Sequence, residues 1–142
     1  MTKDWVKDMR DMHTKYGVRD WMQEQINTGN RENLKKFLEF RINFLEEELN
    51  ETKSAFKYGN AEEIVDGLID LCVIAIGTLD AFGAKGYQAW DEVLRANMNK
   101  ELGIKETRPN PLGLPDLIKP PGWKGPDHRD MEGNIGYALY KE

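Results

Sequence analysis

The stretch that decides the fold runs Leu45-Glu46-Glu47-Glu48-Leu49-Asn50-Glu51. It passes through Gly59-Asn60 and continues as Glu63-Ile64-Val65-Asp66-Gly67-Leu68-Ile69-Asp70. Before the Gly-Asn pair, Leu34, Phe37, Leu38, Phe44, Leu45, Leu49, Ala55 and Phe56 recur at helical spacing. After it, the chain is apolar nearly all round from Ile64 to Leu79. The pattern predicts one helix over about 32–58 and another over about 61–82. Asn60 suits an N-cap, with Glu63 placed as in a capping box. A turn this tight makes the two helices antiparallel. The second is expected to be the most buried element.

Upstream, Trp5, Met9, Met12 and Tyr16 predict a helix over about 4–16 that stops at Gly17. A short helical turn over 19–25 follows. Downstream, a helix over about 86–101 is expected to face Trp90, Val93, Leu94 and Met98 inward. All six prolines lie between Pro109 and Pro126, and none precedes them. The expected organisation is a helical domain over 1–102 and an extended proline-rich arm over 103–142. The arm is part of the same domain or of an oligomer interface, with Leu112, Leu114, Leu117, Ile118 and Trp123 as apolar anchors. No convincing strand pair is evident. The fold class is all-α, an antiparallel bundle of four to five helices with an extended C-terminal arm.

The chain has 142 residues, enough for one domain, with 20 basic and 25 acidic residues and a net charge of −5. The acidic balance argues against polymeric nucleic acid as a partner. No apolar run reaches the roughly 18 residues that span a bilayer, and the charged N-terminus does not resemble a secretory signal. One cysteine, Cys72, excludes an internal disulfide, and two histidines exclude a zinc finger. The expected location is the cytoplasm.

Carboxylates fall where a core should be. Helix positions three or four apart share a face. Phe37, Arg41, Phe44, Glu48, Glu51 and Ala55 form one such stripe on the long helix, with Glu47 adjacent. Glu63, Asp66 and Asp70 form another on the next helix, where Asp66 and Asp70 interrupt an apolar surface. Measured from the turn at about 1.5 Å per residue, the two acidic sets come level. Like charges facing each other need a cation, and Arg41 alone cannot balance four carboxylates. Oxygen-only donors favour a hard ion, Mg²⁺ or else Mn²⁺. Glu46 and Glu62 point away and read as solvated. Cys72 reads as a core thiol, and His13 as a satisfied, partly buried histidine.

This ordered set resembles the MazG-like all-α nucleoside triphosphate pyrophosphohydrolases, which carry ExxE on one helix and ExxD on the next. That superfamily also includes dimeric dUTPases, dCTP pyrophosphatases and phosphoribosyl-ATP pyrophosphohydrolase, as well as small, often phage-encoded, members. Glu48 and Glu51 match the first half, and Asp70 falls where the final Asp belongs. The position normally Glu is Gly67. Either Asp66 takes its place, or Glu63 and Asp66 form a displaced ExxD. The run Asp91–Lys100 and the segment Lys119-Pro120-Pro121-Gly122-Trp123 extend the resemblance.

The resemblance implies a Mg²⁺-dependent cut between the α and β phosphates of a nucleotide, giving the monophosphate and pyrophosphate, and the expected substrate is a nucleoside triphosphate, read here as the deoxy form. Glu48, Glu51, Asp66 and Asp70 would be metal ligands. Glu47 or Glu48 would orient or deprotonate the attacking water. Lys100 would meet the leaving pyrophosphate, with Arg95, Arg41 and Lys119 behind it. Asn97 would bind sugar or base, and Phe44 and Trp123 are candidate aromatic platforms. A homodimer or homotetramer is expected, in the host cytoplasm if the chain is phage-encoded. The competing expectation is a non-catalytic helical nucleotide-binding or interaction protein that keeps the family fold.

Overall fold

The computed structural model describes residues 2–140. It contains helices α1 (Trp5–Lys15), α2 (Val18–Asn27), α3 (Arg31–Lys57), α4 (Ala61–Ala81), α5 (Gly86–Met98) and α6 (Asn134–Leu139). The strands β1 (Glu101–Gly103) and β2 (Asp116–Ile118) pair antiparallel, with Leu102 opposite Leu117. The fold is all-α. The chain divides into two compact units: one holds everything up to Gly86 with the segment from Glu132 onward, and the other is Tyr87–Met131. Residues 103–142 are thus shared between the units.

The α3–α4 turn forms as its residues dictate. Asn60 Oδ1 accepts a hydrogen bond from the Glu63 backbone N–H at 3.1 Å and caps α4. The Asn60 N–H donates to the Ala55 carbonyl at 2.9 Å, which closes α3. That donor is therefore not left for Glu63, so the capping box is only half made and the Glu63 side chain is exposed.

Gly67 on α4 lets α3 come close, and Gly77 makes room for the side-chain ends of Arg41 from α3 and Met9 from α1. A Cβ on Gly67 would collide with Thr52 Oγ1 and lie 3.2 Å from Thr52 Cβ. One on Gly77 would lie 2.7 Å from Arg41 Nη2 and 2.9 Å from Met9 Cε. Both pairings belong to one antiparallel register. It brings Glu48 level with Asp70, and Glu51 level with Asp66 and Gly67.

The core of the first unit is built on Met22, Leu34, Phe82 and Leu139. Leu139 comes from α6, so the arm is not extended throughout. It forms half of a ribbon and a short core helix. No proline lies beyond Pro126 to prevent a helix there. The expected anchors Leu112, Leu114 and Leu117 are exposed.

Burial also departs from expectation on three helices. On α4 only Gly67, Ile74, Gly77 and Ala81 are buried, while Val65, Leu68 and Ile69 are exposed. The covered face is the one that meets α1, α2 and α3. On α5, Trp90 and Met98 are 71% and 77% exposed, Val93 and Leu94 are exposed too, and Ala96 is the buried residue. On α1 the buried side chains are Met9 and His13, four apart, and Trp5, Met12 and Tyr16 are exposed.

A buried polar group joins α1, α2 and α4. His13 Nδ1 lies 3.0 Å from Asp80 Oδ2, and both side chains are at most 5% exposed. Arg19 Nη1 donates to Asp80 Oδ1 at 3.1 Å. The carboxylate assigns the ring hydrogen of neutral His13 to Nδ1. Burial pushes His13 below its ordinary value of 6.5; Asp80 opposes that shift, and Arg41 and Arg19 add to it.

Two predictions follow from this packing. The unfolded chain takes a proton on His13 near pH 6.5 while the folded chain resists it. Stability should therefore fall as pH drops below about 6.5 and level off below the folded-state value. Urea melts between pH 7.5 and 5.5 should show this slope, and His13→Asn should flatten it. Gly67→Glu, which restores the family residue, should cost about 1–3 kcal/mol or more of stability in the same melts, because the crossing has no room for a Cβ.

Candidate active site

The carboxylates gather on the α3–α4 pair. Glu48 and Asp70 are half-buried, and Glu47, Glu51 and Asp66 are exposed. Glu48 is held above the usual carboxylate range, first by desolvation, then by the charges of Glu51, Asp70, Glu47 and Asp66. Asp70 is raised in the same way, by desolvation and by the neighbouring Asp66. The charges that shift these two groups are all carboxylates. Glu63 is not among them.

The donor set has the chemistry of a hard-cation ligand set: it is all oxygen and anionic, and among the described residues no salt bridge to it is found. Among the described residues, no three His, Cys, Asp or Glu side chains are drawn together tightly enough to hold an ion. Free carboxylates repel, and closing such a set requires the charge that holds it.

Arg41 is spent within the helix pair. Its Nε donates to Thr78 Oγ1 at 3.0 Å and its Nη2 to the Ile74 carbonyl at 2.9 Å. Burial lowers its pKa. Phe44 is half-buried and packs edge-on to Phe40, with centroids 6.1 Å apart.

The other candidates lie in the second unit. Arg95 is paired with Glu92 at 2.9 Å and also donates to the Gly125 carbonyl at 3.1 Å. Asn97 is exposed on the last turn of α5. Trp123 Nε1 donates to the Ala96 carbonyl at 2.7 Å, which fixes the indole. Lys119 Nζ and Lys100 Nζ lie 5.0 and 5.5 Å from the Trp123 ring centroid. Two ammonium groups on one aromatic ring form an anion-attracting group within this unit.

Thr52 was not legible as part of the site. It is buried, touches Gly67, and donates through Oγ1 to the Glu48 carbonyl at 2.8 Å. The available signal was positional: it lies one turn after Glu48, level with the glycine that replaces a carboxylate. Asp80 was missed too, although it is a third aspartate in an apolar helix.

The model of the phosphoribosyl-ATP pyrophosphohydrolase family matches residues 17–97, more than half of the chain. No curated protein and no solved structure matches it. The matched span includes α3, the Gly-Asn turn, α4 and all five clustered carboxylates. The chain belongs to the phosphoribosyl-ATP pyrophosphohydrolase family, within the MazG-like all-α nucleotide pyrophosphohydrolases.

Proposed function

We propose that this protein hydrolyses a deoxynucleoside triphosphate to the monophosphate and pyrophosphate, with Mg²⁺ as cofactor and Mn²⁺ as a substitute. The observation that carries the reading is the in-register facing of Glu48 and Glu51 with Asp66 and Asp70, where only like charges act on Glu48 and Asp70. Glu48, Glu51, Asp66 and Asp70 would hold the cation. When bound, Mg²⁺ neutralises phosphate oxygens and lowers the pKa of water.

The water oxygen bonds to the α-phosphorus, and the bond to the bridging oxygen of the β-phosphate breaks. Pyrophosphate leaves with that electron pair, and Glu47 or Glu48 takes the water's proton. Lys100 and Lys119 are the cations offered to the phosphates. Arg95 and Arg41 rank behind them because both already serve partners within the fold. Trp123 and Phe44 offer faces for the base, and Asn97 an amide for sugar or base. In this reading residues 1–102 form the catalytic part and 103–142 the arm.

A homodimer or homotetramer is part of the proposal. Phe40, Phe56, Val65 and Leu68 are each more than half exposed in a single chain, and apolar side chains in such numbers call for a partner. No helix among the described residues is long and apolar enough to cross a membrane. We place the protein in the cytoplasm, that of the host if it is phage-encoded. The second reading, a nucleotide-binding protein without catalysis, draws on the missing carboxylate at Gly67.

Pyrophosphate release from a panel of dNTPs, NTPs and phosphoribosyl-ATP, in Mg²⁺ and in EDTA, separates the two. Metal-dependent release is expected, ranked by base. Glu51→Gln and Asp70→Asn should each lower turnover by about 100-fold or more, the scale of losing one positioned catalytic group. Both should melt no lower than wild type in EDTA, since each removes a repelling charge. Mg²⁺ should raise the wild-type melting temperature and have little effect on Asp70→Asn. No release from any nucleotide by a folded protein that binds Mg²⁺ would replace this reading with the second.

A further inference from the structure

We infer that Thr52 and Gly67 are the positioning pair of the carboxylate site. Their contact sets the distance at which Glu48 and Glu51 face Asp66 and Asp70. The inference rests on the pyrophosphohydrolase reading above. The contact lies at the level of the acidic groups: Thr52 follows Glu51 directly, and Gly67 follows Asp66 directly and precedes Asp70 by three residues. Both residues are buried, whereas Glu51 and Asp66 beside them are exposed. The carboxylates thus stand at the rim of a dry contact between two backbones.

Space at the contact is already used. A Cβ on Gly67 would collide with Thr52 Oγ1, and it would lie 3.2 Å from Thr52 Cβ and 3.6 Å from Thr52 Cα. Normal carbon contacts are about 3.5–4.0 Å, so relief requires the helices to part by roughly 1 Å or Thr52 to turn. Turning is opposed, because Thr52 Oγ1 donates to the Glu48 carbonyl at 2.8 Å, and that bond ties the turn carrying Glu48 to the crossing. Mg²⁺ and Mn²⁺ hold their ligand distances within about 0.2 Å, so the carboxylate side chains must absorb any parting of the helices. A few tenths of an ångström can be absorbed in this way, whereas a parting of roughly 1 Å would hold the same four carboxylates too far apart. Gly67 is then not a vacant ligand position. It is the close-approach residue that lets the remaining carboxylates share one ion.

The test is Mn²⁺ affinity, read from the free-ion electron paramagnetic resonance signal, on metal-stripped wild type, Gly67→Ala and Gly67→Ala/Thr52→Ala. Folding is checked by circular dichroism melts without metal. Gly67→Ala should lose about 10- to 100-fold in affinity, as when a group that orients ligands is removed. The double variant should return to within about threefold of wild type, the coupling expected of residues in contact. A folded Gly67→Ala that binds as tightly as wild type overturns the inference. So does a double variant that regains the melting temperature without the affinity.

If Gly67→Ala does not fold, Thr52→Val carries the test. Its methyl group presses on Gly67 where the hydroxyl sat, and unchanged affinity there is equally fatal. Failure of the underlying reading looks different: the wild type itself then neither binds Mn²⁺ nor releases pyrophosphate. A wild type that does both, beside a folded Gly67→Ala that binds Mn²⁺ equally well, removes the positioning role alone.

Discussion

The close antiparallel crossing of α3 and α4 is the constraint on which the rest of this structure depends. It uses Gly67 and Gly77 where larger residues would have bought more buried area. Each glycine costs a helix interior about 1 kcal/mol relative to alanine. In exchange α3 approaches closely at Thr52, and the Arg41 guanidinium finds room over Gly77. A one-residue slip would place Cβ atoms against side chains at both points. Register in turn decides which carboxylates come level, so their placing depends on packing at a position that carries no charge of its own.

The same helix pair treats carboxylates in two opposite ways. Toward the end of α4, Asp80 is buried between His13 and Arg19, with a hydrogen-bonding partner on each oxygen. That is how a folded chain normally accommodates a buried acid. Nearer the turn, Asp70 has Asp66 as its neighbour, and Glu48 feels four further carboxylates. Asp80 thus has a guanidinium and an imidazole as partners, whereas the charges that act on Glu48 and Asp70 are those of other carboxylates.

Much of this could be read from the sequence, for physical reasons. Helices α1 to α5 follow from periodicity and from the stops at Gly17, Gly59 and the proline segment. The level of Glu51 with Asp66 follows from counting out from the Gly-Asn turn. Helix α6 could not be found that way: six residues make less than two turns and show no period. The burial of α4 and α5 was misjudged because an apolar side chain does not by itself say whether the chain covers it. Arg41 looked available because sequence gives the charge of a guanidinium but not the Ile74 carbonyl that occupies it. Gly67 was legible as a missing glutamate, and Thr52, an ordinary polar residue on a helix, gave no sign that it fills the gap.

Charged groups cluster differently in the two units. The first holds the carboxylate cluster, and the second holds Trp123 with Lys100 and Lys119 on its ring. The indole cannot turn away, because its N–H is held by Ala96. Like charges brought close repel, and a charge of the opposite sign relieves them. On the proposed reading, that is why a net acidic chain, one that should repel a free polyphosphate, is suited to the metal-bound form.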